Sequence, residues 1–401
     1  NLRKLHISSN MISSINVDTF ENQNLLEELY LDDNDLSFLP KNWCEFMKNL
    51  RYLNLSGNKI TYLEMRNIDN IFEYTLFLEN LILSKNEFTK FPNLTSLNNL
   101  KKLSLAYNII TNVKDISVAK SLKMLSLRGN MIYNIDKKAF FKFTELEFLD
   151  LSENKLQSLP FGWNKNLSML KYLNLESNYF QNIEGMMLNS LFTLQKLYIK
   201  NNDIMSLPQN CTVYSKEIKE LYLDDNEITE ISIKAFDSLD KLNILSLNNN
   251  NISINKMLWF NQHDNLRDLI INNNKYNGND TVIDKIFHPL PRLERLSLKN
   301  NRISNNIEYL LLSNNKITEL CSINCKQYSL SLEGMRKLLN LNVSGNCIKT
   351  VTENAFRYTT NLVSLDLSRN EIESLPENIF RGLESLLELR MSHNRFISIP
   401  N

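Results

Sequence analysis

Residues 146–156 read Leu146-Glu147-Phe148-Leu149-Asp150-Leu151-Ser152-Glu153-Asn154-Lys155-Leu156, with leucines at the first, fourth, sixth and eleventh places and an asparagine at the ninth. The same frame stands upstream as Leu26, Leu29, Leu31, Asn34 and Leu36, and near the end as Leu362, Leu365, Leu367, Asn370 and Ile372. Followed by its asparagine, it recurs seventeen times between Asn10 and Asn394. Ten of the sixteen spacings are 24 residues, and the others are 28, 22, 22, 27, 14 and 31. Chance does not hold such a phase over 401 residues.

The Leu-x-Leu at the centre of the frame is a period-two pattern, so it predicts a short strand with alternate side chains turned inward. One repeat cannot bury its apolar face alone, so successive coils must stack and their strands must pair into a parallel sheet. The asparagine falls where the chain turns after the strand. A buried amide is tolerated there only if it is hydrogen-bonded, and stacking offers it backbone groups of its own and the neighbouring coil. The outer half of each coil keeps its own phase. Pro40, Pro92, Pro160, Pro208, Pro376 and Pro400 stand six residues after the asparagine, where an extended turn needs no ladder bond. Phe20, Phe140, Phe236, Phe260, Phe356 and Phe380 stand ten residues after it, and Trp163, Met187 and Trp259 within one residue of that column. These read as core.

Composition agrees and excludes several functions. Lys+Arg and Asp+Glu are 45 each, which gives no net charge with which to hold nucleic acid or an anionic membrane. No apolar run approaches the roughly 18 residues that a membrane helix needs. The frame with its 24-residue period and convex phenylalanine (Phe140 in Ile135-Asp136-Lys137-Lys138-Ala139-Phe140) resembles the leucine-rich repeats of animal extracellular receptors and adhesion proteins, such as Toll-like receptor ectodomains and chaoptin-type proteins. The resemblance covers essentially the whole chain. It implies an α/β repeat fold, a leucine-rich-repeat solenoid shaped as a curved horseshoe, with the parallel sheet on the concave face and irregular or short-helical segments on the convex face.

Two departures bear on domain organisation. The chain starts on a strand and stops about seven residues after Asn394, without the cysteine-rich caps usual in extracellular members, so it reads as a fragment. The 14-residue step from Asn301 to Asn315 is too short for a coil that needs roughly 20–29 residues. We therefore expect one solenoid block over residues 1–304 and a second over 305–401. The 28-residue step after Asn58 predicts a convex bulge around Glu64 to Tyr74.

Catalytic constellations are not found. His6, His263, His288 and His393 sit on different coils, and no phosphate loop, nucleophile elbow or metal-ligand spacing occurs. The expectation is a non-enzyme with no cofactor and no metal. Of five cysteines, Cys44 falls in the phenylalanine column and reads as a buried free thiol, while Cys211 has no obvious partner. Cys321 and Cys325 are placed to form a disulfide, with Cys347 as a competitor, and three unpaired thiols are the alternative. Seven N-glycosylation sequons are no more than chance gives in so asparagine-rich a chain. Asn93, Asn166, Asn210 and Asn279 fall on outer segments with room for a glycan, whereas Asn54 and Asn342 point off strands into the concave face.

The residues flanking the inward leucines project from the concave face. Over the coils of Asn154 to Asn226 these are Phe148, Asp150, Tyr172, Asn174, Glu176, Lys196, Tyr198, Lys200, Glu220, Tyr222 and Asp224. Aromatic rings among charges are the usual make-up of a protein-binding hot spot. The competing expectation is that Glu176, Lys200 and Asp224 form a charge ladder that satisfies itself, with tyrosines that merely favour strands. The sequence thus points to a non-catalytic protein-binding solenoid at the cell surface, the ectodomain of a receptor or adhesion protein. Its partner would be a protein ligand or another cell-surface protein, or a second copy, with no nucleic acid and with membrane attachment only through segments outside the chain. The 22-residue steps and unpaired cysteines support the alternative of a cytoplasmic scaffold or regulatory subunit, and a repeat module attached to a catalytic domain elsewhere is a third reading.

Overall fold

A computed structural model describes residues 2–61, 71–209 (apart from 115 and 117–119), 215–252 (apart from 233) and 263–274. Beyond these it describes 292, 295–297 and 309–398 apart from 314, 316, 323–328 and 334. The chain divides into two compact units, Asn1–Tyr198 and Ile199–Asn401. Both are parallel-sheet solenoid. The outer side of the coils is a succession of turns; among the described residues the one helical element is the 3-10 turn Glu184–Met186.

In the first unit every coil contributes one three-residue strand: Lys4–His6, Glu28–Tyr30, Tyr52–Asn54, Asn80–Ile82, Lys102–Ser104, Met124–Ser126, Phe148–Asp150, Tyr172–Asn174 and Lys196–Tyr198. They pair in chain order, all parallel. The central leucines stand in register as Leu29, Leu53, Leu81, Leu103, Leu125, Leu149, Leu173 and Leu197, and all are buried. Each such leucine contributes about 1.5–3 kcal/mol by leaving water, which it does only because the next coil covers it. On the outer side Phe20, Phe140 and Phe143 are buried with Trp43 and Trp163, and Phe140 meets Trp163 edge-on at 5.8 Å. The indole N–H groups donate to the next coil, Trp43 to the Ile71 carbonyl at 3.1 Å and Trp163 to that of Met186 at 3.0 Å. Cys44 lies in this column as a free, fully buried thiol, and burial pushes its pKa up to about 12.

From Asn34 on, the frame asparagines of this unit are buried and tie the coils together. Asn154 donates to the carbonyls of Leu127, Leu151 and Ser152 at 3.0 Å, while its Oδ1 accepts from the Ile132 N–H at 3.0 Å. Two of these four bonds reach the preceding coil. Asn58, Asn86, Asn108, Asn130 and Asn178 repeat the pattern. The residue just before each asparagine has a left-handed backbone: Asp33 (φ 53), Gly57 (φ 64), Lys85 (φ 54), Tyr107 (φ 56), Gly129 (φ 65), Glu153 (φ 53) and Ser177 (φ 55). That reversal swings the amide under the strand. A second ladder stands at the strand entrance, where charges alternate: Arg51–Glu79 at 2.9 Å, Glu79–Lys101 at 2.7 Å and Glu147–Lys171 at 2.7 Å.

The second unit begins the same way. Glu220–Tyr222, Ile244–Ser246, Asp268–Ile270 and Arg295–Ser297 pair in order, and Asn226, Asn250 and Asn274 reach back one coil to the carbonyls of Ile199, Leu223 and Leu247. His263 is buried, with Nε2 2.8 Å from the Phe236 carbonyl, so it is a core residue. The order then breaks. Arg295–Ser297 is continued by Ser329–Ser331, through Leu296 and Leu330, and then by Glu319–Cys321 and Thr350–Val351. Tyr309–Leu311 opens a separate row with Asn340–Asn342, Ser364–Asp366 and Glu388–Arg390. Fourteen residues cannot carry the chain around a coil and back, so the strand after Asn301 does not sit beside the one before it. The 304/305 boundary expected from the sequence, and the bulge expected from residue 64, lie mostly or wholly outside the described residues.

Two outcomes follow. Asn154→Ala strands backbone groups on two coils and should destabilise the chain by about 1–3 kcal/mol in urea unfolding, while Asn10→Ala, whose amide reaches only its own coil (Ile7 and Ser8), should cost far less. An equal loss at both sites would contradict the inter-coil account. Second, the Glu79 carboxyl is held below its ordinary value chiefly by the hydrogen bond from Lys101, against an opposing push from burial, and then by the Lys101 charge and the hydrogen bond and charge of Arg51. A lowered folded pKa stabilises above the ordinary carboxylate range and is lost as pH falls through the folded value. Acid unfolding between about pH 5 and pH 3 should therefore be shallower in Glu79→Gln, by at most ~1 kcal/mol and less in high salt.

Candidate functional site

The solvent face of the first unit's sheet carries the side chains on either side of each buried leucine. Phe148 and Tyr172 are directly opposite in register, and their rings stack at 4.2 Å and 14°. Tyr198 leans onto Tyr172 from the next strand at 5.0 Å. All three rings are half-buried, flush with the sheet rather than standing off it. Lys196 is exposed opposite Tyr172, and Glu176 is half-buried. Burial, and then the charges of Tyr198, Asp150 and Glu176, push the Tyr172 hydroxyl up to about 12.

Asp150 and Asn174 are buried and face the turn. The Asp150 Oδ1 accepts from the Ser152 N–H at 3.0 Å and Oγ at 2.6 Å, and the Asn174 Oδ1 accepts from the Glu176 N–H at 2.9 Å. Asn54, Asn342 and Asp366, at the same place in their coils, cap Ser56, Ser344 and Ser368 alike. These are Asx turns that close the strand, and the spacing of Asx to Ser across the frame was the signal for them.

In the second unit Lys200 lies 4.8 Å above the Tyr222 ring and 3.1 Å from the Asp224 carboxylate. Tyr222 donates to Glu220 at 3.4 Å. Asp224 is only 4% exposed; it also accepts from the Ser246 hydroxyl and from Asn248 at 2.9 Å (N–H) and 2.7 Å (Nδ2). The chain of bonds runs on from Asn248 to Asn272 (2.8 Å) and Ser297 (2.7 Å). The carboxylate thus serves a polar ladder along the sheet.

A second aromatic stack stands on the first unit's sheet, outside the patch expected from the sequence. His6 and Tyr30 stack at 4.0 Å and 11°, and Tyr52 joins Tyr30 at 4.8 Å. Tyr30 donates to Glu28 at 3.0 Å, and Glu28 pairs with Lys4 at 2.7 Å. These rings occupy the frame positions that Phe148, Tyr172 and Tyr198 occupy, so the signal was present in the sequence.

The remaining candidates divide. Asn93 is exposed, with its Oδ1 accepting from Thr95 Oγ1 at 2.9 Å. Asn166 donates its amide to the Phe141 carbonyl of the preceding coil at 2.6 Å, a bond that Asn49 and Asn99 repeat at their own coils. Asn210 and Asn279 lie outside the described residues. Cys321 is buried and disulfide-bonded, whereas Cys347 is free and so is not its partner. Cys325 and Cys211 lie outside the described residues.

Comparison with known proteins places this geometry. A family model described as "Leucine rich repeat" matches residues 1–60, 98–156, 145–204, 216–276 and 336–396, well over half of the chain. Among solved structures, a leucine-rich-repeat protein of Leptospira interrogans has a TM-score of 0.57 at 23% identity, over 99% of this chain and 91% of that one. The leucine-rich repeat domain of APL1B gives 0.56 at 24%, over 72% and 80%. Drosophila Toll, from its glycosylated complex with Spatzle, gives 0.57 at 20%, over 93% of this chain and 51% of that one. At such identities the likeness is one of fold. No curated protein matches the chain.

The packing of Tyr172 is open to direct titration. Its raised pKa means that the fold favours the neutral phenol, a contribution present below about 10 and lost as pH rises toward about 12. Burial also raises Tyr30, Tyr52 and Tyr74, so ultraviolet difference titration should show a late-ionising tyrosine component whose amplitude falls by one residue in Tyr172→Phe. A Tyr172→Phe curve superposing on the parent would refute the packed arrangement.

Proposed function

The chain belongs to the leucine-rich-repeat family, and on that footing we propose that it is a protein-recognition array that binds a protein ligand on the solvent face of its sheet. The observation that carries this reading is the stack of Phe148, Tyr172 and Tyr198, three rings already packed against one another and partly open to solvent. Rigid aromatics lose little freedom on binding, so a preformed row of them converts buried area into affinity at low ordering cost. Lys196 and Glu176 supply the charged rim, and Lys200 with Tyr222 offers a comparable element on the second unit. Asp150, Asn174 and Asp224 support the face from below, each being committed to turn or ladder bonds.

Within that reading we place the chain at the cell surface, as part of a receptor or adhesion ectodomain. Supporting this are the 24-residue coil with its convex phenylalanine and a disulfide at Cys321, which suits an oxidising compartment. Toll, of which the matched region spans about half, was solved in complex with Spatzle. A cytoplasmic scaffold is the second reading, favoured by the free thiols of Cys44 and Cys347. The full reading frame separates the two. A signal peptide with a membrane segment and a Toll/interleukin-receptor domain selects the receptor, a lipid-anchor signal selects the adhesion protein, and neither selects the scaffold.

For the binding face, the chain and its Phe148→Ser/Tyr172→Ser/Tyr198→Ser variant would be immobilised and exposed to a detergent extract of cell-surface proteins. Proteins captured by the parent should fall at least tenfold on the variant, provided its circular dichroism is unchanged, since losing several hot-spot rings costs well over ~1.4 kcal/mol. Identical capture by both would reject this face.

A further inference from the structure

On the flank of the first unit, where each coil turns past its asparagine, two consecutive coils expose large apolar side chains. Tyr107 is 43% exposed, Ile109 39%, Met131 43% and Tyr133 59%. Tyr107 and Ile109 bracket Asn108, and Met131 and Tyr133 follow Asn130, so the four form one patch two coils wide. Arg128 lies over the Tyr107 ring at 5.8 Å, and the ring leans onto the next coil, where any side chain at Gly129 would strike it. Tyr133 is fixed by the Asn112 amide at 3.2 Å. The patch is therefore ordered, and it stands on a different face from the aromatic stacks of the sheet. Contiguous apolar surface of this kind on a polar molecule marks a contact site.

The charges around it say what the partner is. On the coil before the patch stand Lys85 and Glu87, the residues before and after Asn86; on the coil after it stand Glu153 and Lys155, the residues before and after Asn154. The order of signs is reversed from one side to the other. Lys85, Glu87 and Lys155 are exposed, and Glu153 is half-buried beside Arg128 at 2.6 Å. We propose that this flank binds a second copy of the chain through a two-fold axis passing between the coils of Asn108 and Asn130. Such an axis reverses the coil order of the partner. It sets Ile109 against Met131, brings the two Tyr107 rings to the axis, and opposes Lys85 to Glu153 and Glu87 to Lys155, each twice. A closed two-fold contact requires a self-complementary surface, and this flank meets that requirement in both its apolar centre and its charged margins. An unrelated partner would not require the signs to reverse about the centre.

The test uses the full chain in sedimentation velocity, with Glu87→Lys and Lys155→Glu as variants, because both residues are exposed and neither side chain is placed in the core. The parent should dimerise at micromolar concentrations, the range expected of a small interface. Each single reversal creates two like-charge contacts and should weaken dimerisation about tenfold or more. An equimolar mixture of the two variants should recover parent-like affinity, because each chain then offers what the other lacks. Ile109→Asp/Met131→Asp should leave a monomer with an unchanged thermal midpoint. A parent that stays monomeric at roughly 100 μM overturns the proposal. So does a dimer indifferent to all three variants, which would place self-association on another face, and so does a mixture that fails to recover.

Discussion

The asparagine that closes each strand is the interaction on which the solenoid rests. A leucine can be buried by any apolar neighbour, so the leucines alone specify collapse and not order. The asparagine specifies order, because its amide reaches a carbonyl in its own coil and one in the coil before, while its oxygen takes the N–H two residues past the preceding asparagine. A slip of one residue would leave every one of these buried groups unpaired, at a cost that exceeds what the side-chain packing could regain. Register, and with it the alignment of rings and charges on either side of the strand, is inherited from that network.

The left-handed residue before each asparagine extends the same logic. The turn fixes its backbone but leaves its side chain at the surface, exposed or half-buried, so lysine, glutamate, aspartate, serine, tyrosine and glycine all occur there. Surface identity is written at positions that the backbone holds in place but does not otherwise constrain. The rigid frame thus displays side chains at intervals near 4.8 Å along the array, whether in the sheet-face stacks or along the flank.

Most of the fold was legible in residue spacing. The strands, the buried leucines, the bonded asparagines, the Phe140 and Trp163 column and the buried Cys44 thiol all follow from a frame that repeats often enough to average out local accident. The site was legible in part. Phe148, Tyr172 and Tyr198 come together as their alternation predicts. Alternation gives a direction only, and the oxygens of Asp150 and Asn174 are spent on their own turns and that of Asp224 on the neighbouring coil. The His6, Tyr30 and Tyr52 stack uses the same positions flanking the central leucine, so it was equally legible. The rearranged strand order after Asn301 was beyond reach for a different reason. Fourteen residues cannot close a coil, but the repeat period sets no rule for which edge the displaced strand will choose.

The Asx turns at the strand ends carry a consequence for the chain's chemistry before it folds. Asn54-Leu55-Ser56 and Asn342-Val343-Ser344 spell a sugar-acceptor signature as a by-product of turn construction, since the same hydroxyl and amide that close the turn are what an oligosaccharyl transferase reads. At Asp150 and Asp366 the identical turn is made with a carboxylate, which the transferase cannot use. The fold is indifferent to that choice. A protein-modifying enzyme is not, so the swap between aspartate and asparagine at this one place is where the array can admit or refuse a carbohydrate without altering its own architecture.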